Sequence, residues 1–95
     1  MIDFSNYQAL YRRATVYLAL GKAKHAIPDL TAVLDIRKDF TQARKQRGDI
    51  YIKQGEYTKA SEDFKDNPEK RQLIQVSRKL YQREDKLIHH ILFYK

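Results

Sequence analysis

Arg13-Ala14-Thr15-Val16-Tyr17-Leu18-Ala19-Leu20-Gly21 and, 34 residues further on, Arg47-Gly48-Asp49-Ile50-Tyr51-Ile52-Lys53-Gln54-Gly55 are two copies of one pattern. Sliding the chain by that distance pairs Gln8 with Gln42, Ala9 with Ala43, Arg13 with Arg47, Tyr17 with Tyr51, Gly21 with Gly55, Ala26 with Ala60 and Asp29 with Asp63, seven identities in 23 positions. Chance at ordinary composition gives about one or two. Ala14/Gly48, Val16/Ile50, Leu18/Ile52 and Leu30/Phe64 add near-matches. Each copy reads as two short helices broken by a glycine, where a left-handed residue closes a helix without a Cβ clash. The first helices are expected over Tyr7 to Leu20 and Thr41 to Gln54, the second over Ala23 to Arg37 and Thr58 to Asp66. Ala26, Ile27, Leu30, Val33 and Leu34 follow the spacing of one buried helical face. Pro28 reads as a helix-start signal, placed where backbone N–H groups lack intrahelical partners.

A 34-residue helix–turn–helix unit is the period of the tetratricopeptide repeat (TPR), which buries its apolar faces only by stacking on neighbours. The TPR signature can be laid on both copies. Arg47-Gly48-x2-Tyr51 with Ala60-x3-Phe64 matches well, and Leu10-x2-Arg13-Ala14-x2-Tyr17 with Ala26-x3-Leu30 less well. Small residues at 14, 26, 48 and 60 let two helices approach closely, and Tyr17, Tyr51, Leu30 and Phe64 fill the space between. Arginine stands at 13 and 47 where the signature prefers leucine. Asp29 and Asp63 repeat at the same spacing on the facing helices, which predicts Arg13–Asp29 and Arg47–Asp63 pairs that fix hairpin register.

Asn67-Pro68-Glu69 reads as the start of another helix: a cap, a first-turn proline and an acid at the positive end of the dipole. Pro68 follows Phe64 sooner than the signature expects, so the second repeat's last helix falls a turn short. Beyond it Leu73, Leu80 and Leu87 recur at sevens, as do Ile74, Tyr81 and Ile88, with Val76, Ile91 and Leu92 broadening the stripe. Such a helix caps the open face of the second repeat or pairs with a second copy as a homodimer through residues 68-95. The expected architecture is therefore all-α: a TPR array with repeats at 7-40 and 41-67 and an amphipathic capping helix at 68-95.

The stretch Tyr11 to Lys22, followed by Ile27-Pro28-Asp29-Leu30-Thr31, resembles the TPR region of the endoplasmic-reticulum J-domain co-chaperones that inhibit the interferon-induced, double-stranded-RNA-activated kinase. The likeness runs on through Asp39-Phe40-Thr41, Gln46-Arg47-Gly48 and Lys53-Gln54-Gly55 to Glu62-Asp63-Phe64-Lys65, so it covers roughly residues 6 to 65. Arg13, Arg47 and Pro28 belong to that family's version of the repeat. The resemblance implies a module that holds unfolded or misfolded client protein for a lumenal Hsp70 chaperone. His89-His90-Ile91 is not the His-Pro-Asp triplet of a J domain, so Hsp70 stimulation is not expected. It also implies the endoplasmic-reticulum lumen. Met1 to Asn6 lack a secretory signal's layout, which by itself gives a cytoplasmic expectation.

The remaining chemistry is sparse. The chain has 95 residues, no cysteine, and 19 Lys plus Arg against 12 Asp plus Glu, a net charge of +7 that biases it toward acidic partners. No cofactor or metal site, membrane span or enzymatic constellation is expected. Three histidines at 25, 89 and 90 lack metal-ligand spacing, and the His25–Asp29 pair reads as solvent-facing. Specific nucleic-acid binding is not expected; weak basic-patch RNA binding would show a steep salt dependence. The candidate partner-binding groove is the concave side lined by first helices: Gln8, Tyr11, Arg12 and Thr15, then Gln42, Lys45, Gln46, Asp49 and Lys53. Other TPR proteins grip a chaperone's C-terminal carboxylate with a Lys and an Asn one turn apart. Here Lys45 is followed by Asp49, which repels a carboxylate, so no such clamp is expected.

Overall fold

The computed structural model describes residues 6–93, with side chains described for 6–80. Five helices follow in order: α1 (Tyr7–Ala19), α2 (Ala23–Ile36), α3 (Thr41–Lys53), α4 (Tyr57–Asp63) and α5 (Pro68–Phe93). The pairs α1/α2 and α3/α4 are antiparallel hairpins, α3 also packs on α2, and α5 packs on α4. The repeating helical array read from the 34-residue period is the architecture observed. The expected side-chain stripe beyond Leu80 and the His89-His90 pair lie outside the described side chains, and residues 1–5 lie outside the described chain.

Both hairpin turns have the same cause. After α1, Lys22 N–H donates to Tyr17 O at 2.8 Å and Gly21 N–H to Leu18 O at 3.0 Å, with Gly21 at φ 75°. After α3, Glu56 N–H donates to Tyr51 O at 2.8 Å and Gly55 N–H to Ile52 O at 3.1 Å, with Gly55 at φ 76°. These reversed bonds satisfy the last carbonyls of each helix, and the left-handed residue they require is glycine. Asn6 starts α1 by accepting the Ala9 N–H at 3.1 Å, and Asn67 starts α5 by accepting the Lys70 N–H at 3.1 Å.

Two expectations need correction. Pro28 is not a start signal. α2 begins at Ala23, so Pro28 stands in its second turn, and the N–H it lacks is the one that would reach back to the Lys24 carbonyl. Lys24 and Pro28 are both exposed, so water can satisfy that carbonyl. The second helix of repeat two ends at Asp63 rather than Asp66, and residues 64–66 form turns. Asn67 precedes a proline, which disfavours helical backbone there, and the chain leaves the helix before reaching it.

The core has two parts. Ala14, Ala26, Leu30, Val33, Leu34, Ala43 and Ile50 form one cluster across α1, α2 and α3, while Ala60, Phe64 and Ile74 join α4 to α5 with Tyr51, Ile52 and Tyr57 packed against them. At Gly48 helix α3 lies directly against the Phe64 ring that follows α4. A Cβ added there would meet three carbons of the Phe64 ring, Cε2 nearest and then Cζ and Cδ2 at 2.8 and 2.9 Å. Ile74 seats α5 on this second cluster at 1% exposure, whereas Leu73, Val76 and Leu80 on the same helix remain about half exposed.

Candidate functional site

Hairpin register is set by an arginine, a tyrosine and an aspartate that recur in both repeats. In the first, Arg13 Nε and Nη2 donate to the two oxygens of Asp29, both at 2.7 Å, and Arg13 lies 6.0 Å from the Tyr17 ring centre. In the second, Arg47 donates likewise to Asp63 at 2.9 and 2.6 Å and lies 5.9 Å from the Tyr51 ring centre. Both expected pairs form. The fork-shaped guanidinium matches a carboxylate with two parallel bonds, fixing how each hairpin's helices align. Hydrogen bonding to Asp29, reinforced by its charge, holds the Arg13 pKa well above its ordinary value, and Asp63 does the same for Arg47. Arg47 has one more bond, from Nη1 to Thr31 Oγ1 at 3.1 Å, which ties the second hairpin to α2.

The expected groove residues divide by environment. On α1, Gln8, Arg12 and Thr15 are exposed, while Tyr11 is half-buried with its ring 4.9 Å from that of Phe40. Thr15 turns its hydroxyl to the Tyr11 carbonyl at 2.6 Å. On α3, Gln42, Lys45 and Lys53 are exposed, and Gln46 is half-buried with its carbonyl oxygen unpartnered among the described residues. Asp49 is not free: Lys70 of α5 donates to it at 3.1 Å. Lys45 also borders a recess of about 250 Å³ with Thr41, Arg44, Phe64 and Asn67.

A regularity joins these contacts. The edge of α1 that carries Tyr7 and Tyr11 meets Phe40 at the start of α3, with Tyr7 and Phe40 rings 5.6 Å apart. The corresponding edge of α3, with Thr41, Lys45 and Asp49, meets Asn67 and Lys70 at the start of α5. By these contacts α5 takes up the position of a third first-helix, following α1 and α3. Sequence reasoning missed Phe40 and Lys70. Phe40 was visible as an aromatic just before a helix, but nothing in the spacing marked Lys70 as a partner for Asp49.

A stack of helical hairpins that leaves polar side chains along successive first helices defines a class of repeat protein built for binding other proteins. The family model for the tetratricopeptide repeat matches residues 7–40 and 42–66, and the chain belongs to that family. DnaJ homolog subfamily C member 3 of Homo sapiens is 57% identical over 63 residues, 66% of this chain and 12% of that protein. The tetratricopeptide repeat and J domain-containing co-chaperone DNJ1 of Cryptococcus neoformans is 38% identical over 64 residues, 67% of this chain and 12% of that protein. The chain thus spans about an eighth of the length of these curated relatives. Among solved structures, the P58(IPK) TPR domain aligns with 95% of this chain and 27% of its own, at 40% identity and a TM-score of 0.65. That alignment extends past the 66% matched in sequence to the human relative. The resemblance to co-chaperone TPR regions is therefore established.

Proposed function

We propose that the chain is a non-enzymatic module that holds a segment of unfolded or misfolded client protein, or a partner in chaperone work, along the face formed by α1, α3 and the start of α5. The observation that carries this reading is the row of exposed polar side chains, Gln8, Arg12, Thr15, Gln42, Lys45 and Lys53, on successive first helices. They offer donors, acceptors and positive charge without one preferred ligand geometry, which suits a segment of variable sequence. Tyr11, Gln46 and Asp49 belong to the same face as partly covered members, with Asp49 neutralised by Lys70. The similarity to a J domain-containing co-chaperone supports work alongside chaperones, and the sequence resemblance described above adds the endoplasmic-reticulum lumen as the proposed place of action.

The test is suppression of aggregation of a chemically denatured protein by the chain, at low and high salt. Suppression that tolerates salt and is lost on combining Arg12→Glu, Lys45→Glu and Lys53→Glu, with helicity and melting temperature retained, is the expected result. Equal suppression by the triple variant would remove this face from the function. Binding that falls steeply as salt rises, with RNA competing, would favour the nucleic-acid reading instead. A second reading, association of copies through α5, is favoured by the half-exposed Leu73, Val76 and Leu80.

A further inference from the structure

The 34-residue period gives each α1 residue a counterpart on α3, and one face of the two helices is covered in α3 and bare in α1. On α3, Ala43 and Ile50 are 0% and 5% exposed, and between them Arg47, 20% exposed in its side chain, reaches Thr31 of α2. Their counterparts on α1 are Ala9, Arg13 and Val16. Ala9 is exposed, Val16 is 56% exposed and the Arg13 side chain is 60% exposed. Arg13 commits Nε and Nη2 to Asp29, and among the described residues no hydroxyl meets its Nη1, the nitrogen that in Arg47 meets Thr31.

Thr31 of α2 meets α3 through Arg47. Ile27 and Leu34, which share one helix face with it at i, i+4 and i+7, belong to or pack on the cluster that buries Ala43 and Ile50, giving the order Ile27-x3-Thr31-x2-Leu34. Helix α5 carries the same order at the same spacing, Leu73-x3-Ser77-x2-Leu80, with Leu73 and Leu80 47% and 51% exposed. The bare receptor and the bare ligand stand at opposite ends of the helix order. We propose that copies of this chain associate head to tail, the Leu73/Ser77/Leu80 face of α5 in one copy covering the Ala9/Arg13/Val16 face of α1 in the next. Ser77 Oγ then accepts from Arg13 Nη1 as Thr31 Oγ1 accepts from Arg47. The contact repeats between chains the α2/α3 junction found within one.

Charge favours this arrangement over α5 pairing with α5. Two α5 helices side by side bring Arg71, Arg78 and Lys79 of each copy together, whereas the cation on the α1 face is already neutralised by Asp29. The net charge of +7 opposes any self-association, so added salt strengthens it by screening. Because the two surfaces differ, growth is open-ended unless a rotation closes it.

Sedimentation velocity across a wide concentration range tests the geometry with two single substitutions at exposed positions. Wild type is expected to gain mass with concentration, more so in high salt, and Val16→Asp and Leu80→Asp each to remain monomeric with unchanged helicity. Their equimolar mixture is expected to give a 1:1 complex that grows no further, since the intact tail of the Val16 variant meets the intact head of the Leu80 variant. Ser77→Ala should weaken association by about tenfold or more, the worth of one hydrogen bond to a charged donor. A Val16→Asp chain that self-associates like wild type, or a mixture that stays monomeric while wild type assembles, overturns the proposal. So does a wild type that stays monomeric throughout.

Discussion

Arg47 and Asp63, sixteen residues apart on facing helices, are joined by two hydrogen bonds of 2.9 and 2.6 Å with the carboxylate only 4% exposed. A carboxylate that dry needs its cation, since an unpaired buried charge loses hydration without recompense. Arg47→Met is therefore expected to cost about 2–3 kcal/mol, or about 10–20 °C of melting temperature for a chain this small. Replacing both partners with apolar residues, Arg47→Met with Asp63→Leu, should cost less than the sum of the single changes, because no charge is stranded. Thermal and urea unfolding of the four proteins close the cycle.

In the first repeat the same pair should respond unequally. Arg13 is 60% exposed in its side chain while the Asp29 side chain is 7% exposed. Asp29→Asn leaves behind an arginine that water can solvate, at about 1 kcal/mol or less. Arg13→Met leaves a buried carboxylate without its cation and should cost more than Asp29→Asn. Equal losses in urea denaturation would show that the exposure difference does not govern the pair.

Gly48 and Phe64 occupy the positions held in the first repeat by Ala14 and Leu30, both fully buried. The larger ring goes with the smaller neighbour. Gly48→Ala gains about 1 kcal/mol of helix propensity but drives a Cβ into the Phe64 ring, so a net loss of about 1–2 kcal/mol is expected. Adding Phe64→Leu recreates the pairing of the first repeat and should recover part of that loss. The coupling energy from the double-mutant cycle is the measurement, and purely additive effects would contradict the steric account.

Contacts that recur with the period were legible in the sequence, and contacts that cross between repeats were not. Arg13–Asp29 and Arg47–Asp63 each span sixteen residues inside one hairpin, so the period exposed them twice. Thr31 on Arg47 and Lys70 on Asp49 depend on how one hairpin sits on the next, which fixes no residue type at a set distance. The Ala23 start of α2 was legible after the Gly21 break, whereas Pro28 falls in the second turn, past the N–H groups that lack intrahelical partners. Of the nine residues expected to line a groove, exposure was readable from helical phase for Gln8, Arg12, Thr15, Gln42, Lys45 and Lys53. The partial covering of Tyr11 and Asp49 came from Phe40 and Lys70, one residue before a helix and four beyond Asp66.

The turn between the repeats should show an acid-sensitive link. Arg37 donates to both oxygens of Asp39, at 3.0 and 3.2 Å, and to the Tyr7 hydroxyl at 2.9 Å. The hydrogen bond from Arg37, helped by a backbone bond and the guanidinium charge, holds the Asp39 carboxyl below its ordinary value of 3.8. Its folded value lies below its unfolded one, so its contribution is fully present above the unfolded value and fades as pH falls through the folded value. The gap in urea stability between wild type and Asp39→Asn should hold constant from neutral pH down to about pH 5 and shrink below pH 4. A gap that shrinks only on the alkaline side would reverse the assigned sign.

The start of α5 should be separable from the rest of the array. It is held by the Asn67 side chain on the Lys70 N–H, by the Lys70–Asp49 ion pair with side chains 27% and 41% exposed, and by Ile74 on the second cluster. Asn67→Ala removes the cap and is expected to cost about 1 kcal/mol. Asp49→Asn breaks a half-exposed pair and should cost about 0.5 kcal/mol. Neither change touches the cluster of Leu30, Val33 and Leu34, so the losses should appear as local opening. Amide hydrogen exchange at residues 70–78 should accelerate roughly fivefold in the Asn67 variant while amides of 30–34 keep their wild-type rates. Equal acceleration in both regions would mean that α5 and the first repeat unfold as one unit.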